Sequence, residues 1–259
     1  MTGARLVALD IDGTLVDASE RASAGVIDAV RGVVDAGVHV VLATGRSVNG
    51  ITRVLDVFDL DDGHCVASNG AVTFTYHPVE ITSATTFDPA PAVTMVLEAV
   101  PDALVAVEVV GRGYRANKKF PDGEITGEMW IEQVDTLLAE PVTRVIIRDP
   151  ASSAEDFLAL AEQLGLHGIN YFVGYTAWLD LAPEGVSKAS ALSKVAADLG
   201  VDADDVLAIG DGRNDVEMLT WAGHGVAMGQ APDEVKAVAD AVTGRIDEDG
   251  VVKALSDWL

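Results

Sequence analysis

The sequence predicts an α/β fold: a parallel sheet covered by helices on both faces, with an α+β unit inserted into it. Three observations lead there. Short apolar runs alternate with amphipathic stretches at both ends of the chain, the middle breaks that rhythm, and acidic residues collect where apolar runs stop. Residues 5–10 (RLVALD) are an apolar run closed by an acid, which reads as a buried strand. Val26, Val30, Val33 and Val34 then recur at helical spacing until Gly37 ends them. Residues 38–43 (VHVVLA) make a second strand, and a helix over 48–58 leads to a third at Cys65, Val66 and Ala67. This β-α-β-α-β order calls for parallel strands joined by crossover helices. The rhythm returns with a helix over 188–199, a strand over 206–209, a helix over 214–221, a strand over 225–228 and a closing helix over 251–259. In between lie helical patterns at 90–100 and 154–164, among strand-like pieces at 104–110, 142–148, 169–173 and 178–181. The expected division is one domain from residues 1–79 and 184–259, with residues 80–183 as the insert.

The bulk properties narrow the class. With 259 residues and 49% hydrophobic content, the chain can build a real core and is not a disordered polymer. A net charge of −24 argues against nucleic-acid binding, because a phosphate backbone needs Lys and Arg. No apolar run reaches the roughly 18 residues of a membrane span, and none at the start resembles a secretion signal. The single cysteine, Cys65, cannot form an intramolecular disulfide and is expected to pack in a strand. The cytoplasm is the expected location.

Four segments carry the chemistry. Asp10-Ile11-Asp12-Gly13-Thr14-Leu15 closes the first strand, where α/β sheets bind their ligands. Two carboxylates this close repel unless a proton or a hard cation such as Mg²⁺ intervenes. With a cation present, Asp10 can stay ionised as a nucleophile while Asp12 moves a proton. Thr44-Gly45-Arg46 ends the second strand with a hydroxyl and N–H groups suited to phosphate. Lys188, after Gly185 and Ser187, is a cation in the first turn of a helix, against the helix dipole. Gly210-Asp211-Gly212-Arg213-Asn214-Asp215 puts a further carboxylate at a strand end. Each segment has an ordinary alternative: Asp-Gly turns for Asp10 to Gly13 and for Asp211, a helix cap for Thr44 or Asn214, and a solvated surface Lys188.

Taken together and in this order, DIDGTL, TGR, GVSK and GDGRND resemble the four motifs of the haloacid dehalogenase (HAD) superfamily, in its Cof-type, sugar-phosphatase-like branch (subclass IIB). Ser68-Asn69-Gly70-Ala71 and Gly225-Val226-Ala227-Met228-Gly229 support the resemblance. It implies a Rossmann-like HAD core with an inserted cap, and a phosphatase working through an aspartyl-phosphate. Asp10 would be the nucleophile and Asp12 the general acid/base. Thr44 and Lys188 would hold the transferred phosphoryl group, with Gly45, Arg46, Asn69 and Asn214 beside the substrate. Mg²⁺ would be held by Asp10, the Asp12 carbonyl and Asp211, with Asp215 in support. Asp12 itself separates phosphatases and phosphomutases from the dehalogenases and P-type ATPases.

The expected substrate is a small phosphorylated metabolite, a sugar phosphate or phosphorylated cofactor, with neither nucleic acid nor membrane as partner. A homo-oligomer is compatible with the sequence. A phosphomutase and a non-catalytic phospho-ligand sensor are the alternatives. In the insert, Arg112, Arg115, Lys118 and Lys119 could bind an anionic part of the substrate or form a solvated hairpin. Trp130 and Trp178 could stack on a ring or simply pack. Gln230 stands where many Cof-type chains have Asn, which puts a substrate contact at that position in doubt.

Overall fold

The structure, a computed structural model, describes residues 4–164, 169–173 and 178–258. Five strands come first: β1 (Leu6–Leu9), β2 (His39–Ala43), β3 (Gly63–Ala67), β4 (Val72–Tyr76) and β5 (Glu80–Ala84). The next six are β6 (Leu104–Val109), β7 (Gly113–Ala116), β8 (Glu128–Ile131), β9 (Val145–Arg148), β10 (Ile169–Val173) and β11 (Trp178–Pro183). The last three are β12 (Val206–Gly210), β13 (His224–Ala227) and β14 (Ala241–Val242). Among the described residues they form two sheets, in the orders β14-β13-β12-β1-β2-β3-β4-β5 and β10-β11-β9-β6-β7-β8.

β1 is central to the first sheet, parallel to β2 on one side and to β12 on the other, with Leu6 opposite both His39 and Val206. Its residues alternate between two cores. Val7 and Leu9 join the cluster under the helices Ala24–Asp35, Val48–Phe58 and Gly250–Trp258. Leu6 and Ala8 join the opposite cluster, under Lys188–Asp198 and Val216–Trp221. Burial on both faces is why the strand reads as an unbroken apolar run rather than as alternation. Cys65 is buried in β3, and burial pushes its thiol up, so it packs as a small hydrophobe.

Three features differ from the expectations. Residues 80–84, assigned from sequence to the insert, form β5 and pair antiparallel with β4 as an edge of the first sheet. All five are exposed, so they carry no apolar periodicity to read. The helix expected over 214–221 starts as a 3₁₀ turn, Arg213–Asp215, before Val216–Trp221. The second sheet also holds β7 and β8, and here the basic cluster finds its place. Arg112 pairs with Glu128 and lies over Trp130 at 4.8 Å, while Arg115, Lys118 and Lys119 pair with Glu132, Asp102 and Asp122. None of the four cations faces the cavity described below.

No helix among the described residues is long and apolar enough to cross a membrane.

Candidate active site

The carboxyl ends of β1, β2, β3 and β12 converge on one edge of the first sheet, and the chain's chemistry-bearing residues follow them. Asp10 leaves β1, Thr44 leaves β2, Ser68 to Gly70 leave β3, and Asp211 leaves β12. Lys188 enters from the helix Lys188–Asp198, whose cap Ser187 accepts from the Ser190 N–H. Asp10, Thr44, Lys188, Asp211 and Asp215 are all buried, Lys188 completely. Complete burial removes the solvated-lysine alternative.

The Lys188 ammonium donates to Asp10 Oδ1 at 2.7 Å and to Asp215 Oδ1 at 2.6 Å. Burial works against this charge, but the Asp10 and Asp215 carboxylates outweigh it and hold the ammonium well above the usual lysine range. The other oxygen of Asp215 accepts the backbone N–H groups of Asp211 and Gly212 at 3.0 and 2.8 Å. Both Asp215 oxygens are therefore used inside the protein; of Asp10, Asp211 and Asp215, only Asp10 and Asp211 line the cavity. Burial, with Asp215 and Asp211 adding to it, pushes the Asp10 carboxyl up, against the pull of Lys188. Asp10, Asp211 and Asp215 offer oxygens that all lie within 4.8 Å of one another. Three buried carboxylates facing one ammonium leave excess negative charge, and a hard divalent cation suits such an oxygen set.

Gly13 stands at a corner with no room for a side chain: its φ is +82°, and a Cβ there would collide with the Asp211 carboxylate. Asp12 is exposed at the mouth and is gripped by Arg46, whose Nε donates to Asp12 Oδ2 at 2.8 Å. Glu20 holds the same guanidinium at 3.2 Å. Thr44 is not a helix cap, since Ser47 occupies that position; its hydroxyl accepts the Arg46 N–H at 3.1 Å. Asn214 donates to Asn69 Oδ1 at 2.9 Å, which puts Asn69 behind Asn214 rather than on the cavity wall. Gln230 turns its amide into the protein, donating to the Gly13 carbonyl at 2.6 Å and accepting from the Ile246 N–H at 3.0 Å. It does not line the cavity.

Above these groups is a cavity of about 380 Å³ between the two sheets. Asp10, Asp12, Thr44, Gly45, Arg46, Asp211 and Asn214 form its floor; Tyr114, Arg144, Ile146, Phe172, Trp178 and Asp180 form its roof. Of the roof residues, the sequence reading had singled out Trp178 alone. Arg144 and Asp180 are joined by two hydrogen bonds of 2.8 and 2.9 Å, and Arg144 also reaches the Tyr114 hydroxyl at 3.2 Å. The visible signal of this pair was a charge within β11 and another immediately before β9. Breaking this buried pair strands a charge, so Arg144→Met is expected to lower the unfolding free energy by about 3–5 kcal/mol in a urea titration.

A sequence profile of the haloacid dehalogenase-like hydrolases matches residues 7–255. The chain belongs to this family. It is 28% identical over 271 residues to the 5-amino-6-(5-phospho-D-ribitylamino)uracil phosphatase YitU of Bacillus subtilis, covering 98% of this chain and 97% of that protein. It is also 28% identical over 253 residues to a phosphoglycolate phosphatase of Methanoculleus marisnigri, covering 96% and 94%. Among solved structures, a phosphatase of the HAD superfamily from Bacteroides thetaiotaomicron superposes with a TM-score of 0.80, at 28% identity over 99% of this chain and 95% of that one. A HAD subclass IIB sugar phosphatase shares the fold, with a TM-score of 0.82 at 24% identity over 98% of both chains. This HAD-family hydrolase thus has phosphatases as relatives along nearly its whole length.

Proposed function

We propose that this hydrolase is a Mg²⁺-dependent phosphatase that removes phosphate from small phosphomonoesters, sugar phosphates or phosphorylated cofactors, through an aspartyl-phosphate on Asp10. The observation that carries the reading is the buried Asp10–Lys188–Asp215 bridge opening beside Asp211 onto a ligand-sized cavity. A binding protein has no use for a nucleophile held this way.

Asp10, Asp211 and the Asp12 carbonyl are the groups that would hold Mg²⁺, which when bound neutralises charge on the phosphoryl oxygens and on Asp10. In the first step an Asp10 oxygen bonds to phosphorus while the bond from phosphorus to the leaving oxygen breaks, and Asp12 gives that oxygen a proton. In the second, Asp12 takes a proton from water as the water oxygen bonds to phosphorus, releasing phosphate and restoring Asp10. Lys188 and the Thr44 hydroxyl hold the phosphoryl oxygens in both steps. Arg46 must turn from Asp12 toward the phosphoryl group for Asp12 to carry its proton.

The inserted sheet serves as a cap that excludes water and grips the leaving group. Because Arg144 is neutralised by Asp180, the roof offers aromatic faces and hydrogen bonds rather than net charge, which suits a hydroxylated or ring-bearing group. Relatives include phosphatases of a ribitylaminouracil phosphate and of phosphoglycolate, both small phosphomonoesters. Trp178→Ala is expected to raise KM about tenfold for a ring-bearing substrate and to change kcat little, as steady-state kinetics would read it.

Phosphate release from a panel of phosphomonoesters, measured with Mg²⁺ and with EDTA, tests the proposal. Release that depends on Mg²⁺ supports it. A folded protein that binds Mg²⁺ and releases no phosphate from any compound would overturn it.

A further inference from the structure

The loop Ser68–Gly70 is the backbone of the site and is held in an unfavourable shape. Ser68, Asn69 and Gly70 have φ of 51°, 53° and 102°, three consecutive residues in the left-handed region, of which only the last is glycine. Each non-glycine residue there costs about 1–3 kcal/mol and persists only where its surroundings enforce it. The enforcing contacts reach most of the catalytic floor. The Ser68 N–H donates to the Arg46 carbonyl at 2.8 Å and the Asn69 N–H to the Thr44 carbonyl at 3.0 Å. Asn69 Oδ1 accepts from Asn214, and a Cβ on Gly70 would strike the Ser187 carbonyl beside Lys188.

One further contact comes from the other sheet. Ser68 Oγ donates to Glu108 Oε2, on β6, at 2.7 Å, and Thr143 Oγ1 donates to the same oxygen at 2.9 Å. Ser68 and Glu108 are 1% and 6% exposed, so this bond crosses the junction between the sheets without water. Glu108 Oε1 has no hydrogen-bond partner within the protein. A carboxylate with one doubly used oxygen and one idle oxygen acts here as a single acceptor.

We propose that Glu108 is a positioning residue: by accepting the Ser68 hydroxyl it makes the seating of the inserted sheet a condition for the Ser68–Gly70 loop to hold Thr44, Arg46 and Asn214 in place. This rests on the phosphatase reading given above. When the inserted sheet lifts, Ser68 loses its partner and the strained loop relaxes, so the phosphoryl site is complete only beneath a closed roof. Water is then kept from a finished site. The device needs an acceptor at Oε2 and no charge, which decides the test.

Three variants separate the outcomes: Glu108→Gln keeps an acceptor oxygen, while Glu108→Met and Ser68→Ala remove one side of the bond. The expected result is kcat within about twofold of the parent for Glu108→Gln, and about tenfold lower for Glu108→Met and Ser68→Ala, with KM little changed. The double variant Ser68→Ala with Glu108→Met should lose no more than either single change, because both delete one interaction. Amide exchange over residues 66–72 reads the loop without any turnover, and should quicken about tenfold in Glu108→Met and Ser68→Ala but not in Glu108→Gln. Unchanged exchange in Ser68→Ala, or losses that simply add in the double variant, would overturn the proposal. A parent protein that releases no phosphate but shows the coupled exchange would count against the phosphatase reading and leave the positioning role standing.

Discussion

Asp10→Asn is expected to cost about 10⁴-fold or more in phosphate release, because it deletes the proposed nucleophile while leaving its volume unchanged. The stability of the same variant is expected to move the other way. Burial and the neighbouring Asp215 and Asp211 carboxylates push the Asp10 carboxyl above its unfolded range. A carboxyl shifted up contributes stability below its unfolded pKa and loses it as pH rises through the folded value. At neutral pH the ionised Asp10 is therefore a burden in metal-free protein, and asparagine removes it. Thermal unfolding in EDTA should place Asp10→Asn at or above the parent. Adding Mg²⁺ should then raise the parent's melting temperature and move that of Asp10→Asn much less, since ligand binding stabilises only the state that binds it. An Asp10→Asn protein that melts well below its parent in EDTA would contradict this account of the carboxylate cluster.

Lys188→Met is expected to damage the fold severely. The side chain is fully buried and bridges Asp10 and Asp215, so methionine fills similar space and leaves two buried carboxylates without their cation. Stranding such charges costs about 3–5 kcal/mol, a large fraction of a typical domain's stability. Turnover should fall by about 10³-fold, because the ammonium is bonded to Asp10, the proposed nucleophile. Adding Asp215→Asn to Lys188→Met should restore part of the stability and none of the activity. If the two changes instead add as independent losses in urea unfolding, the bridge is not a coupled unit.

How much of this was readable beforehand follows from physics local to the chain. The helix Val48–Phe58 coincides with the pattern seen over residues 48–58, because its buried face repeats at 3.6 residues. Asp10, Thr44 and Asp211 could be found because each ends a strand whose burial on both faces makes an apolar run. Lys188 was visible as a cation at the wrong end of a helix, although its burial was not. The edge strand β5 left no trace, since exposure on both faces removes the alternation that marks a strand. Apart from Trp178, the roof of the cavity was illegible for another reason. Glu108 and Asp180 each interrupt an apolar strand, Arg144 stands immediately before β9, and a buried charge calls for a partner. Which partner depends on the registers of β6 with β9 and of β9 with β11, such as Val107 opposite Val145 and Asp180 opposite Ile146. Pairings between strands so far apart in sequence are set by tertiary packing, which local periodicity does not encode.

The place of β1 between β2 and β12 also governs how the protein must be made. Leu6 pairs with Val206, so one edge of the central strand waits for a partner emerging about 200 residues later. At about 5–20 residues per second, that interval is on the order of 10–40 seconds on the ribosome. Residues 104–183, by contrast, contain every strand of the second sheet and can complete its pairing before the first sheet is whole. During that wait an apolar edge stands open to pairing with other nascent chains.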